Sequence, residues 1–189
     1  MNPETYKKRI SLIIAQAGVM AALVAVATFL VQVPIPATKG YLNFGDIMIF
    51  VSALTFGPII GGFAGGVGSS ISDVASGYAY FAPFTLVIKG AEGMIAGFVS
   101  NRLSRKRDVA AVVVAGIEMV AGYFLAEFFG LSERWAALGE VPFNIIQIAV
   151  GGIVGIPIAI LLLKRLPESW KTKPQAKRWH GLKARFHRE

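Results

Sequence analysis

Lys89 and Glu92 stand three residues apart inside an apolar stretch, a spacing that puts both on one helix face and lets them pair. Other polar side chains recur in or beside comparable stretches: Asp46, Asp73, Glu118, Glu127, Asn144 and Gln147. In hydrocarbon an ionisable side chain costs about 2.5–3.5 kcal/mol on insertion scales, so such groups persist where they pair or hold a ligand. The chemistry they offer is ion pairing and hydrogen bonding. Bond-making groups are scarce: the two His residues, His180 and His187, are near the C-terminal end, and there is no Cys. No His-based triad or metal centre, and no thiolate site, can therefore be assembled in the apolar region. The chain also lacks a Gly-x-x-x-x-Gly-Lys-Ser/Thr phosphate loop. We expect a binding protein, not an enzyme, with no cofactor and no metal.

The elements that must position these groups are membrane helices. Mean hydropathy is +0.59, with 54% hydrophobic and 16% charged residues, too little polar surface to coat a soluble globule. Spanning takes about 20 apolar residues in a helix. Candidate spans are Ile10–Val33 (stopped by Pro34 and Pro36), Phe44–Phe56, Ile59–Ser76, Phe84–Leu103, Val109–Phe129 and Asn144–Leu163. Gly57-Pro58 divides the second from the third; reading 44–76 as one helix instead gives five spans. Sixteen of the nineteen Lys and Arg residues fall in four alternating places: the first nine residues, Arg102–Arg107, the end of the last run, and the tail. Basic residues stay on the cytoplasmic side, so this bias selects six spans with both termini cytoplasmic, in a prokaryotic inner membrane. The expected fold is all-α, an integral membrane bundle of six transmembrane helices over residues 1–166, followed by a basic tail, 167–189. The first run exceeds the usual h-region of about 7–15 residues and is expected to be a retained helix. Trp170, Trp179 and Phe186 alternate with bases in the tail, which is either a surface-lying segment on anionic lipid or a solvated extension.

Six spans place the polar groups at one depth. Asp46 falls at the outer start of the second helix and Asp73 at the outer end of the third. Lys89 and Glu92 lie roughly two turns into the fourth. Glu118 is near mid-depth, and Asn144 and Gln147 open the sixth. The inner halves carry no comparable set, which implies a polar pocket open to the outside. Structural roles compete at each position. Lys89 and Glu92 can simply neutralise one another, Asn43 can cap the helix that holds Asp46, and Asp73 can order a helix end. Glu127 is expected to reach the interface and not to bind. Tyr41, Phe44, Tyr78, Tyr80, Phe81 and Phe84 gather at the same level, suiting a flat heteroaromatic ligand that stacks on its faces and bonds at its edge. Asp46, Asp73, Glu92, Glu118 and Glu127 against Lys89 favour a neutral or cationic ring over a phosphorylated one. The glycines Gly57, Gly61, Gly62, Gly65, Gly66 and Gly68 are expected to serve close helix packing.

The first helix carries Ala17, Ala21 and Ala25 at four-residue spacing. With this stripe, Asn43-Phe44-Gly45-Asp46, Phe56-Gly57-Pro58-Ile59-Ile60-Gly61 and the run Tyr80-Phe81-Ala82-Pro83 through Lys89-Gly90-Ala91-Glu92-Gly93 make a specific set. The chain resembles the substrate-binding S components of energy-coupling factor (ECF) transporters, in particular the riboflavin-type group, over about Ile10 to Leu163. The resemblance implies a six-helix protein that captures a water-soluble vitamin or precursor at the outer face. It further implies docking, through Ala17, Ala21 and Ala25, on a membrane scaffold served by two cytoplasmic ATPases. The first outer loop would lid a pocket formed largely by the fourth to sixth helices. The resemblance places Lys89, Glu92, Glu118 and Asn144 in that pocket by location; with Asn43, Asp46, Asp73, Tyr78, Tyr80 and Gln147 from the reading of depth and residue type, they are the candidate substrate-binding residues. Riboflavin is the first expectation, with pyridoxine-like compounds and the thiamin pyrimidine next. A self-sufficient secondary transporter or channel is the alternative; it would need an ionisable path through the inner half or inverted repeats, and neither is evident.

Overall fold

The computed structural model describes residues 3–35, 40–101, 104–131, 134–167 and 170. Among them are α1 (Pro3–Leu30), β1 (Gln32–Ile35), β2 (Gly40–Asn43), α2 (Gly45–Phe56), α3 (Pro58–Ala75), α4 (Ala82–Val99), α5 (Arg105–Ala126) and α6 (Ala136–Arg165), with a π-helical turn, Glu127–Leu131, extending α5. The bundle is helical apart from one antiparallel hairpin, in which Gln32 pairs with Asn43 and Ile35 with Gly40. Pro36, Lys39, Arg102, Leu103 and the basic tail after Trp170, with Trp179, His180, Phe186 and His187, lie outside the described residues.

Among the described residues, four helices are long and apolar enough to cross a membrane: α1, α4, α5 with its π-turn, and α6. Helix α2, with 12 residues, rises only about 18 Å. Helix α3 has 18 residues but is diluted by glycine and serine. Solvent preference is inverted relative to a soluble protein. Val19, Ile117 and Ile153 are exposed, whereas Asp46, Glu92 and Glu127 are fully buried and Lys89 is 2% exposed. Such a surface is matched to lipid.

Gly57 (φ 96) turns the chain between α2 and α3, and Pro58 opens α3 where its missing N–H costs nothing. Helices α3 and α4 then meet along small residues. A Cβ at Gly93 would collide with the Gly61 carbonyl, one at Gly65 with the Lys89 carbonyl, and one at Gly66 would lie 2.7 Å from the Leu86 oxygen. This seam fixes the rotation of α4 and so decides where Lys89 points. Below it, Phe50, Ala53, Leu54, Ala96, Ala111 and Ala115 close the bundle with apolar packing.

Several helix ends differ from the spans read in the sequence. Helix α1 ends at Leu30, not Val33, and the chain enters a strand that contains Pro34. Pro34 is tolerated because the ribbon is two-stranded and its outer edge needs no donor. Helix α4 ends at Val99. Helix α6 begins at Ala136, eight residues before Asn144, and takes Pro142 and Pro157 into its interior. Internal prolines are accommodated in membrane helices when neighbouring groups meet the freed carbonyls.

Candidate functional site

At the hairpin end of the bundle, nearly every element turns a polar side chain inward. Thr28 comes from α1, Tyr41 and Asn43 from β2, Asp73 from α3, Thr85 and Lys89 from α4, Tyr123 from α5, and Glu140, Asn144 and Gln147 from α6. Together they line a cavity of about 30 Å³. That is room for a water or two, not for a ring compound. Larger hollows exist, but they are of another kind: the groove of about 880 Å³ between α5 and α6 is lined by apolar residues such as Val113, Ile145 and Ile153.

Lys89 is the buried hub. Its ammonium contacts Asp46 and lies 3.0 Å from Glu92, and it stands 5.7 Å from the Tyr123 ring centroid. The i,i+3 pair read from the sequence is therefore present. Asp46, from the N-terminal turn of α2, is the partner that spacing alone could not reveal. One ammonium answers two carboxyl groups here, and a charge this deep persists only where an opposite one meets it. Gln147 extends the network, donating to Asp46 at 3.2 Å and accepting the Asn43 backbone N–H at 2.9 Å. The Asn43 side chain accepts the Gly45 N–H at 2.9 Å and so orders the entrance to α2.

The hairpin is tied down at two further points. Gln32 donates to Ser76 Oγ at 2.7 Å, and the Tyr41 hydroxyl donates to Asp73 at 2.5 Å. Burial, reinforced by the Asp73 carboxylate, holds the Tyr41 hydroxyl well above its ordinary pKa, so it remains a donor at any physiological pH. The hairpin thus rests on α3 through Gln32 and Tyr41 and on α6 through Asn43. Its Gly40 packs where a Cβ would strike the Glu140 carboxylate.

Of the sequence candidates, Asn43, Asp73, Lys89, Asn144 and Gln147 line the cavity. Asp46 and Glu92 lie behind it as partners of Lys89. Tyr78 packs on Tyr41 with centroids 4.7 Å apart, and Tyr80 packs on Phe81. Glu118 is half-buried deeper on α5. Glu127 corrects an expectation: it does not reach the interface but is fully buried, its carboxyl beside that of Glu140. The π-turn widens the last coil of α5 and carries this side chain inward. Sequence reasoning missed Thr28, Ser69, Thr85 and Glu140. A threonine in an apolar run carries no charge signal, and Glu140 fell outside the span drawn from Asn144.

The alanine stripe of α1 is split by the packing. Ala21 is 6% exposed, and its carbonyl is where a Cβ on Gly68 of α3 would land. Ala17 and Ala25 are intermediate, while Ala15, Gly18 and Ala22 beside them are exposed.

Comparison with known proteins gives a consistent result. Residues 10–165 match the family described as ECF-type riboflavin transporter, S component. An uncharacterized protein in the gap 3'region of Pyrococcus woesei is 47% identical over 144 residues, covering 76% of this chain and 96% of that protein. The thiamine precursor transporter HmpT of Lactococcus lactis is 28% identical over 147 residues, 77% of this chain and 84% of HmpT. The riboflavin transporter RibU of Staphylococcus aureus is 27% identical over 169 residues, 79% of this chain and 87% of RibU. The family, HmpT and RibU are described as transporters, not enzymes. A multi-pass helical membrane protein matched over most of its length, this chain belongs to the S components of ECF transporters.

Proposed function

We propose that the chain is the substrate-capturing subunit of an ECF-type ABC importer, taking a small heteroaromatic vitamin or precursor from the outer face and delivering it inward. In this reading all six α-helices span, with α2 and α3 as a short pair turned at Gly57-Pro58. The hairpin end faces outward, and both termini, including the basic tail from residue 167, are cytoplasmic. The observation that carries the reading is a polar cavity, ringed by aromatic side chains and closed by a tied hairpin, within an otherwise lipid-matched bundle. No phosphate loop is present, so energy would come from a scaffold and two ATPases.

Docking would use the face of α1 that a partner helix can reach. The exposed Gly18 and Ala22, flanked by Ala17 and Ala25, fit this role better than the buried Ala21.

The test is uptake with and without the partner subunits. The chain alone should bind ligand yet accumulate none in vesicles, and adding scaffold and ATPases should confer ATP-dependent uptake. Accumulation by the chain alone would make it a self-sufficient transporter. Because the sequence has no Cys, single cysteines placed in the hairpin and the tail report topology without background. Labelling of both from the same side would refute the proposed orientation.

A further inference from the structure

The hydrogen-bonding capacity of the cavity is unevenly met. On one wall Lys89 is turned to Asp46 and Glu92, so its charge is answered before any ligand arrives. Elsewhere on the cavity wall acceptors are in surplus. Glu140 is 5% exposed and abuts the Glu127 carboxyl, and its Oε2 has no hydrogen-bond partner. Thr28, 2% exposed at the end of α1, lines the same cavity, and its Oγ1 also lacks a partner. Asp73 already accepts the Tyr41 hydroxyl. Lys89 is the only buried base among the described residues, against Asp46, Asp73, Glu92, Glu127 and Glu140. A buried hydroxyl oxygen and a buried carboxyl oxygen that line a cavity without partners are atoms a ligand can satisfy.

We propose that this part of the wall is a subsite for a small ring bearing an exocyclic amino group beside a ring nitrogen, an aminopyrimidine-type ligand, with Glu140 and Thr28 as its specificity-determining contacts. The proposal rests on the S-component reading above and narrows it. An amino group and an adjacent protonated ring nitrogen form a planar pair of donors that meets a carboxylate through two parallel bonds, as a guanidinium does. The Thr28 hydroxyl can donate or accept and so suits a neighbouring substituent. The rings of Tyr41, Phe81 and Tyr123 in the same lining are available to the ligand's faces. A phosphorylated ring would set an anion against Glu140. A flavin would set carbonyl acceptors against acceptors.

The experiment is isothermal titration calorimetry of the full chain in lipid nanodiscs with three probes: 4-amino-5-hydroxymethyl-2-methylpyrimidine, riboflavin and pyridoxine. The aminopyrimidine should bind about tenfold or more tightly than either other probe. Glu140→Gln should weaken it about tenfold or more, and Thr28→Val roughly fivefold. Should Glu140→Gln fail to fold, Thr28→Val, which keeps the side-chain shape, decides alone. Unchanged aminopyrimidine affinity in the folded variants would overturn the proposal. Preference for riboflavin or pyridoxine would overturn the subsite while leaving the S-component reading intact. Binding of none of the three by a folded chain would also overturn the subsite, and the S-component reading would then stand or fall on the uptake test with partner subunits.

Discussion

Helices α3 and α4 touch along their whole length, yet the two halves of the bundle are closed by opposite means. Around the cavity, contacts run through Lys89, Asp46, Glu92 and Gln147, with Asp73 and Tyr41 securing the hairpin. Toward the far end the same helices meet backbone to backbone at Gly61 and Gly93, and Gly97 lies against Pro58. Lipid tails are as apolar as leucine, so apolar burial alone does not drive helices together in a membrane, and close packing of small residues supplies much of their attraction. A buried ion network is a poor source of stability, because desolvation cancels most of the attraction. The small-residue seam therefore holds the fold, while the ion network at the hairpin end adds little stability.

That division can be broken most severely at the seam. Gly93→Val drives a side chain into the Gly61 carbonyl, where neither backbone can yield, and should cost about 3 kcal/mol or more. Thermal melting in nanodiscs checks it, and a melting point near wild type would mean the seam is not what holds the two helices. Breaking the ion network comes next. Lys89→Met strands the carboxylates of Asp46 and Glu92 and should cost about 3–5 kcal/mol. Combining it with Asp46→Asn and Glu92→Gln should restore most of the melting temperature without restoring ligand affinity. Recovery of both would place the network in structural support only.

Smaller effects sharpen the contrast. Tyr41→Phe removes a charge-assisted bond worth about 1.5–3 kcal/mol from a hairpin that the far half does not touch. It should speed ligand release about tenfold while moving the melting point little. Since the Tyr41 pKa is raised, its contribution is fully present below the unfolded tyrosine value of about 10 and is lost only as pH rises beyond the raised one. Wild-type release should therefore be flat from about pH 7 to about pH 9 as far as Tyr41 governs it. Least of all in stability, Gly18→Leu adds a side chain where nothing lies within 4 Å and should change folding by no more than about 1 kcal/mol. It should nevertheless abolish uptake by the complex while sparing binding; undiminished uptake would move the docking surface elsewhere.

How far the sequence disclosed this arrangement follows from the range of each interaction. Lys89 and Glu92 were legible because a helix brings i and i+3 together whatever the fold. The bond from Lys89 to Asp46, 43 residues away, depends on how α2 and α4 are set against each other, and no local pattern encodes that. The hairpin was hidden because four-residue strands, one containing Pro34, read as loop. Helix α6 runs back past Pro142 and brings Glu140 into the cavity, whereas the span drawn from Asn144 stopped short of it. The glycine runs, by contrast, announced a close seam correctly, since only close approach gives such residues a use in lipid.

The most direct test compares the two hollows. Native mass spectrometry of the chain, purified gently after growth in rich medium, should show one small molecule bound per protein. Ser69→Phe, which fills the polar cavity, should abolish the adduct, and Ala149→Phe, in the larger apolar groove between α5 and α6, should leave it intact. An adduct that survives Ser69→Phe and disappears with Ala149→Phe would contradict the assignment of the cavity beneath the hairpin as the ligand site.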